Sequence, residues 1–102
     1  MARRLQLHEK FCEILGTRNV YFQPPESVKL QYDCIVYNVA DRNDLTADDL
    51  QYRSMVGYDV TFIYRDPDSD MPDKILNSFS RIRHSQYYSV DNLHHDLFRI
   101  YY

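Results

Sequence analysis

The chain has 102 residues, of which 44% are hydrophobic, and it carries a formal net charge of −3. This size and composition exclude bulk disorder and predict one domain, residues 1–102, with a single core. Two glycines and four prolines exclude a fibrous or low-complexity chain. The charge is uneven, because residues 32–73 carry three basic and ten acidic side chains. No basic stripe interleaved with aromatic residues stands out, so we expect no direct binding to duplex DNA.

The first element predicted along the chain is an amphipathic helix from Arg3 to Leu15. Its apolar stripe consists of Leu7, Phe11, Ile14 and Leu15. Gly16 follows at the position where helices commonly end in a left-handed cap. Charged residues interrupt this N-terminal stretch, and no later stretch is long enough to cross a membrane. We therefore expect a soluble intracellular protein with no membrane partner.

Two strands are predicted next. Val20 to Gln23 forms a short strand that ends at Pro24-Pro25, because proline cannot continue a hydrogen-bonded ladder. Tyr32 to Val39 forms the second strand, whose centre is apolar on both faces, as in a covered central strand. The two cysteines, Cys12 and Cys34, have no metal-binding spacing, and we expect both to be buried and reduced.

An acidic segment and a long alternating run follow. Ala40 to Gln51 is polar and exceeds the length of an ordinary hairpin loop, so it is either a solvated hairpin tip or a segment that carries binding. Tyr52 to Arg65 then alternates between apolar and polar positions, which predicts one half-buried strand. Its apolar face consists of Tyr52, Ser54, Val56, Tyr58, Val60, Phe62 and Tyr64. Usual strands have about five or six residues. We therefore expect part of this one to reach other copies or partners.

The remainder predicts a turn, a short helix and two strands. Asp66 to Asp70 forms the turn, and the helix begins near Pro72. One face of this helix is marked by Ile75, Leu76, Phe79 and Ile82. His84 to Val90 and His94 to Tyr102 form strands joined by a turn at Asp91-Asn92. The predicted fold class is therefore α+β, in the order α-β-β-β-α-β-β. An antiparallel or mixed sheet with a long β-hairpin packs against both helices.

Two clusters have the residue types of metal sites. Asp66 to Asp70 begins like a calcium loop, but Met71 and Asn77 stand where that loop needs Gly and Glu. The run His94-His95-Asp96 places His94 and Asp96 on one face of a strand, and a zinc site would need a further ligand. His84 and His8 are the candidates for that ligand. We favour a turn for the first cluster and surface polar residues on an edge strand for the second.

The sequence offers little for catalysis. It has no Gly-rich phosphate loop, no GxSxG elbow and no HExxH motif. Paired carboxylates such as Asp48-Asp49 lie in a segment without an apolar pocket to shift their pKa. We therefore predict that the protein is not an enzyme and uses no metal or other cofactor.

Several motifs follow one another along the chain in a recognisable order. An N-terminal amphipathic helix is followed by Val20-Tyr21 and Pro24-Pro25, and then by the strand Tyr32 to Tyr37. A long strand with an "RDPDSD.P" turn covers Tyr58 to Pro72, and a final hairpin covers Tyr88 to Tyr101. Over nearly the whole chain, this layout resembles the tail-completion or tail-terminator proteins of long-tailed bacteriophages. Asp33 departs from the family pattern, where Pro is expected before the cysteine.

This resemblance implies a structural protein of the virion at the tail–neck junction, assembled in the host cytoplasm. Such proteins form a six-membered ring that caps the tail tube and joins the tail to the head. The implied partners are other copies of the chain, the tail tube protein and a head-completion or neck protein. The resemblance further implies that DNA could pass through the channel without specific binding. Two alternatives remain: a head-completion or neck connector, and a small phage regulatory binding protein.

Contacts with neighbouring subunits or with the channel are implied for the long hairpin and its loop. The predicted interface residues are Asp41, Asp44, Asp48, Asp49, Tyr52, Arg53, Arg65 and Tyr102. Arg53 and Arg65, at the two ends of the predicted long strand, are of the right charge to pair with acidic residues of an adjacent copy. The acidic residues would keep DNA from adhering to a channel wall, because like charges repel.

Overall fold

The computed structural model describes residues 3–41 and 56–102. Its elements follow the predicted order and confirm the α+β class. They are α1 (Arg3–Leu15), β1 (Val20–Phe22), β2 (Cys34–Asp41), β3 (Gly57–Tyr64), α2 (Met71–Asn77), β4 (Ile82–Val90) and β5 (Leu93–Tyr101).

The five strands form one mixed sheet in the order β1-β2-β3-β5-β4. β1 runs parallel to β2, and the other neighbouring pairs are antiparallel. β2, β3 and β5 are therefore interior strands, whereas β1 and β4 form the edges. The central position predicted for β2 is confirmed, with Cys34, Ile35 and Tyr37 all 0% exposed.

The alternation predicted for the third strand is confirmed where the structure describes it. Tyr58, Val60, Phe62 and Tyr64 are buried together on one face of β3. The predicted end at Arg65 is one residue too long, because the Arg65 amide donates to Asp33 Oδ1 at 3.2 Å and the chain bends there. At the other end, Val56 exchanges two backbone hydrogen bonds with Tyr102, and residues 52–55 lie outside the described part.

Both helices pack against this buried face of the sheet, which is called the core face below. Leu7 and Phe11 of α1 and Ile75 of α2 are 0% exposed and belong to one cluster with the strand side chains. The opposite face, called the open face, contributes no residue to that cluster. It presents alternating residues such as Thr61 of β3 and Leu97 of β5, which are half-buried.

Tyr37 occupies the centre of the core. Its ring lies 5.2 Å from Phe11, 5.0 Å from Phe22 and 6.0 Å from Tyr58, measured between ring centroids.

The Tyr37 hydroxyl has two polar partners on α1. It lies 2.8 Å from His8 Nδ1 and accepts a hydrogen bond from Arg4 Nη1 at 3.4 Å. Burial raises the pKa of Tyr37. Burial, reinforced by the nearby Arg4 guanidinium, lowers the pKa of His8. The neutral imidazole can accept a hydrogen bond from the Tyr37 hydroxyl through Nδ1.

α2 ends before the last residues that were predicted to form its apolar face, Phe79 and Ile82. It ends at Asn77, and the Ser78 hydroxyl donates to the Lys74 carbonyl at 2.5 Å, which satisfies a carbonyl of the last turn. Phe79 and Ile82 still pack on the core, but from beyond the helix, and Ile82 begins β4. Leu76 was expected on the buried face and is 37% exposed.

Cys12 and Cys34 are both buried free thiols, as expected. Burial, with a smaller effect of the Asp33 carboxylate, raises the pKa of Cys34 to about 12. Within the described residues, neither helix has the length and apolar character needed to cross a membrane.

Replacing Val60 by Asp is expected to unfold the domain, because a carboxylate would lie unpaired in the core, where Val60 is 1% exposed. The cost of such a change exceeds about 4 kcal/mol. Thr61→Asp, one residue away on the open face, is expected to cost about 1 kcal/mol. Circular dichroism and urea unfolding measure both. Equal losses in the two variants would contradict the assignment of faces.

The lowered pKa of His8 predicts a dependence of stability on pH. The unfolded chain takes up the His8 proton near its ordinary value of 6.5, before the folded chain does. The free energy of unfolding should therefore fall as the pH drops below about 6.5. In His8→Asn, which cannot titrate there, this fall should be smaller. Urea unfolding at pH 7.5, 6.5 and 5.5 compares them, and parallel pH profiles would rule out a role for His8.

Candidate assembly surface on the β4–β5 hairpin

A tight turn of two residues joins β4 to β5. Asp91 and Asn92 have φ values of 54° and 64°. Two successive positive φ angles are the mark of a type I′ turn, whose twist matches that of the flanking strands. Asp and Asn accept this backbone conformation more readily than most side chains. The predicted turn is therefore confirmed, and it fixes Val90 opposite Leu93.

β4 is an open edge of the sheet. Within the described chain it pairs with β5 alone, and its residues from Arg83 to Val90 are all exposed. The run Gln86 to Val90 contains no charge, no Gly and no Pro. Edge strands usually avoid self-association through charges, prolines or short length. β4 has nine residues and lacks such protection in its second half.

The register identifies which backbone groups face outward. Residues flanking a two-residue turn form a hydrogen-bonded pair, and hydrogen-bonded and non-bonded pairs then alternate. Val90 and Tyr88 therefore bond to β5, whereas Tyr87 and Ser89 turn their N–H and C=O groups to the outer edge. Towards the other end, Ser85 is an extra residue in a bulge between His84 and Gln86.

Two tyrosines of the edge are held flat against β5. The Tyr88 ring stacks on His95, with 4.6 Å between centroids and 10° between planes. The Tyr87 ring stacks on His94 at 6.0 Å, and its hydroxyl lies 2.7 Å from His94 Nδ1. Both remain accessible, Tyr87 at 52% and Tyr88 at 38%. Large rings held in place in this way can contact a partner with little loss of side-chain entropy.

A polar cluster on the core face binds the hairpin to the rest of the sheet. The Tyr64 hydroxyl donates to Asp96 Oδ2 at 2.5 Å, and His84 Nε2 lies 2.7 Å from Asp96 Oδ1. Asp96 on β5 thereby connects β3 to β4. Burial, together with the hydrogen bond from Tyr64 to Asp96, raises the pKa of Tyr64.

The expectation that Asp96 is a surface residue on an edge strand was wrong. β5 lies between β3 and β4, and Asp96 is 6% exposed. His94 and Asp96 do share a face, as predicted, and His84 joins them. His8 lies away from this cluster, beside the Tyr37 hydroxyl.

Among residues 4–40 and 56–102, no three His, Cys, Asp or Glu side chains form a group suited to hold a metal ion. Tyr64, Asp96 and His84 instead form a hydrogen-bonded cluster that holds three neighbouring strands together.

Three of the predicted interface residues are described, and they lie beside the two ends of β3. Arg65 is exposed, with its guanidinium 5.8 Å from the Tyr32 ring. Tyr102 is half-buried, and its ring meets Phe79 at 6.2 Å. Asp41 is the last residue of β2. The other five, Asp44, Asp48, Asp49, Tyr52 and Arg53, lie outside the described residues.

The β4 edge was absent from that prediction, although the sequence carries a signal for it. Gln86 to Val90 is an uncharged run with two adjacent tyrosines, placed between Arg83 and Asp91. High β-propensity and low charge over five to seven residues mark a segment prone to strand pairing. Strand order was the missing information, because the run is exposed only when β4 lies at an edge.

Comparisons of the chain with models of protein families, with curated proteins and with solved structures found no match.

Tyr64→Phe removes the hydroxyl that donates to the buried Asp96, and we expect it to lower the free energy of unfolding by about 2 kcal/mol. Tyr87→Phe removes the hydroxyl paired with His94 at the exposed edge, and we expect a loss within about 0.5 kcal/mol. Each change deletes one oxygen facing β5, so urea unfolding compares them directly. A larger loss for Tyr87→Phe would contradict the bracing role of Asp96.

Proposed function

We propose that this chain is a structural protein of a tailed-bacteriophage virion, whose copies form a six-membered ring that caps the tail tube and joins the tail to the head–neck. The observation that supports an assembly role is the open, uncharged edge of β4. Strand addition to such an edge is a standard way to recruit a protein partner, because the backbone groups are already aligned. The resemblance of the sequence to tail-completion proteins supports the place in the virion.

The composition of the edge and of the open face suits contacts between proteins. Tyrosine is enriched at interfaces, since it combines a large apolar ring with a polar tip. On the open face, Arg99 Nε donates to Asp59 Oδ1 at 2.8 Å, and this bond raises the pKa of Arg99. Arg83 lies opposite Arg99 on β4 and is exposed. The end of the hairpin away from its turn thus carries two arginines on the open face, one of them paired with Asp59.

The acidic segment supplies the complement to these cations. Residues 32–73 hold ten of the fifteen acidic side chains, whereas residues 74–102 carry four basic and two acidic ones. In a ring, each subunit presents different surfaces to its two neighbours, and opposite charges on those surfaces fix the register. The same acidic residues would face passing DNA without binding it. The ring acts without catalysis or cofactor.

The experiment is assembly of the purified chain with isolated phage tail tubes, followed by light scattering and negative-stain imaging. We expect rings of six copies at one end of the tubes. Arg53→Glu should fold and form fewer rings. Lys29→Glu makes the same charge change at an exposed position between β1 and β2 and should form rings normally. A chain that stays monomeric with tail tubes, or binds no tube end, would contradict the ring and favour a regulatory binding protein.

A further inference from the structure

We propose that two copies of the free protein pair through β4, antiparallel and in a register centred on Tyr88, so that two five-stranded sheets become one sheet of ten strands. The proposal concerns the protein before any larger assembly and rests on the β4 edge rather than on the proposed ring. In the free protein the occupant of the edge is a second copy of this chain, and this contact must open before the edge can serve a ring.

The outward backbone groups fit this register. With Tyr88 opposite Tyr88 of the second copy, Tyr87 lies opposite Ser89 of the second copy and Ser89 opposite its Tyr87. Tyr87 and Ser89 are the two positions of this run whose N–H and C=O groups point outward, so they form the hydrogen-bonded pairs of the new ladder. Gln86 to Val90 then pairs with itself over its full length.

The side chains are complementary in the same register. Each large Tyr87 ring faces the small Ser89 of the second copy on the core face. The two Tyr88 rings become neighbours on the open face, where aromatic cross-strand pairs stabilise a sheet. No charge is buried, because Gln86 to Val90 carries none. The exposed rings of Tyr87 and Tyr88 are covered.

The charges at the two ends of the run are also complementary. Asp91 follows the run and is exposed, and Arg83 precedes it and is exposed. Antiparallel pairing places Asp91 opposite Ser85 of the second copy, with Arg83 of the second copy two residues away. Opposite charges thus lie near each other at each end of the paired run, which favours this register. The twofold axis creates this contact twice, and a parallel pairing creates it at neither end.

The other edge of the sheet is a weaker partner for β4. β1 has three residues, whereas β4 has nine. A pairing of β4 with β1 of another copy would leave most of β4 unpaired, including part of the uncharged run. Self-pairing of β4 covers the whole run with one symmetric contact, as in most dimers of identical chains.

Disulfide trapping tests the register. In a non-hydrogen-bonded antiparallel pair the Cα atoms lie about 4.5 Å apart, within the range that a disulfide spans. Tyr88→Cys should therefore form a covalent dimer under mild oxidation, at least about tenfold faster than Tyr87→Cys. In the latter, the two new thiols are two residues out of register. Mixing Tyr87→Cys with Ser89→Cys should restore the cross-link. The native Cys12 and Cys34 are buried and provide a low background.

A second pair of variants tests the outward hydrogen bonds. Ser89→Pro removes an N–H group that β5 does not use, so the hairpin is retained while the dimer contact is lost. Ser89→Ala keeps the N–H and should remain dimeric. Light scattering measures the mass, and circular dichroism checks the fold. A monomeric wild-type protein, or a Tyr88→Cys protein that cross-links no faster than Tyr87→Cys, would overturn the proposal. Neither result would contradict ring formation, which is tested separately by assembly with tail tubes.

Discussion

The buried hydroxyl of Tyr37 determines how the helix and the sheet meet. A tyrosine with 0% exposure needs a partner for its O–H group, since leaving it unpaired in the core is costly. His8 and Arg4 supply the partners, and both belong to α1. The position of α1 along and around its own axis is therefore fixed by two polar contacts. Phe11 then packs on the same ring, and the strands on both sides of β2 pack around it.

The local patterns predicted most of the fold. Helical spacing gave α1 with its observed bounds, and period-two alternation gave the buried face of β3 from Tyr58 to Tyr64. These predictions succeeded because each depends on residues close in sequence. The end of β3 was placed one residue too late, because a long-range bond from the Arg65 amide to Asp33 ends the strand. Alternation alone contains no information about such a partner.

The candidate surface depended on strand order, which local patterns do not supply. Asp96 is preceded by two histidines, and this polar run favoured an edge. In the structure, β4 takes the edge, and Asp96 is buried with Tyr64 and His84 as partners from the strands on either side. The same order exposes Gln86 to Val90. One fact about topology therefore decides the exposure of both segments, because burial in a sheet depends on which strands lie alongside.

The register of β2 with β3 has a consequence for how this protein can evolve. Asp41 lies opposite Gly57, so the connection between these strands starts and ends at adjacent points of the sheet. The entropic cost of closing a loop grows slowly with its length, by about 0.6 kcal/mol for each doubling. Insertions, deletions and charge changes between Asp41 and Val56 need not disturb strand pairing. Selection can therefore adapt the acidic connection to new partners while the scaffold that carries it remains constant.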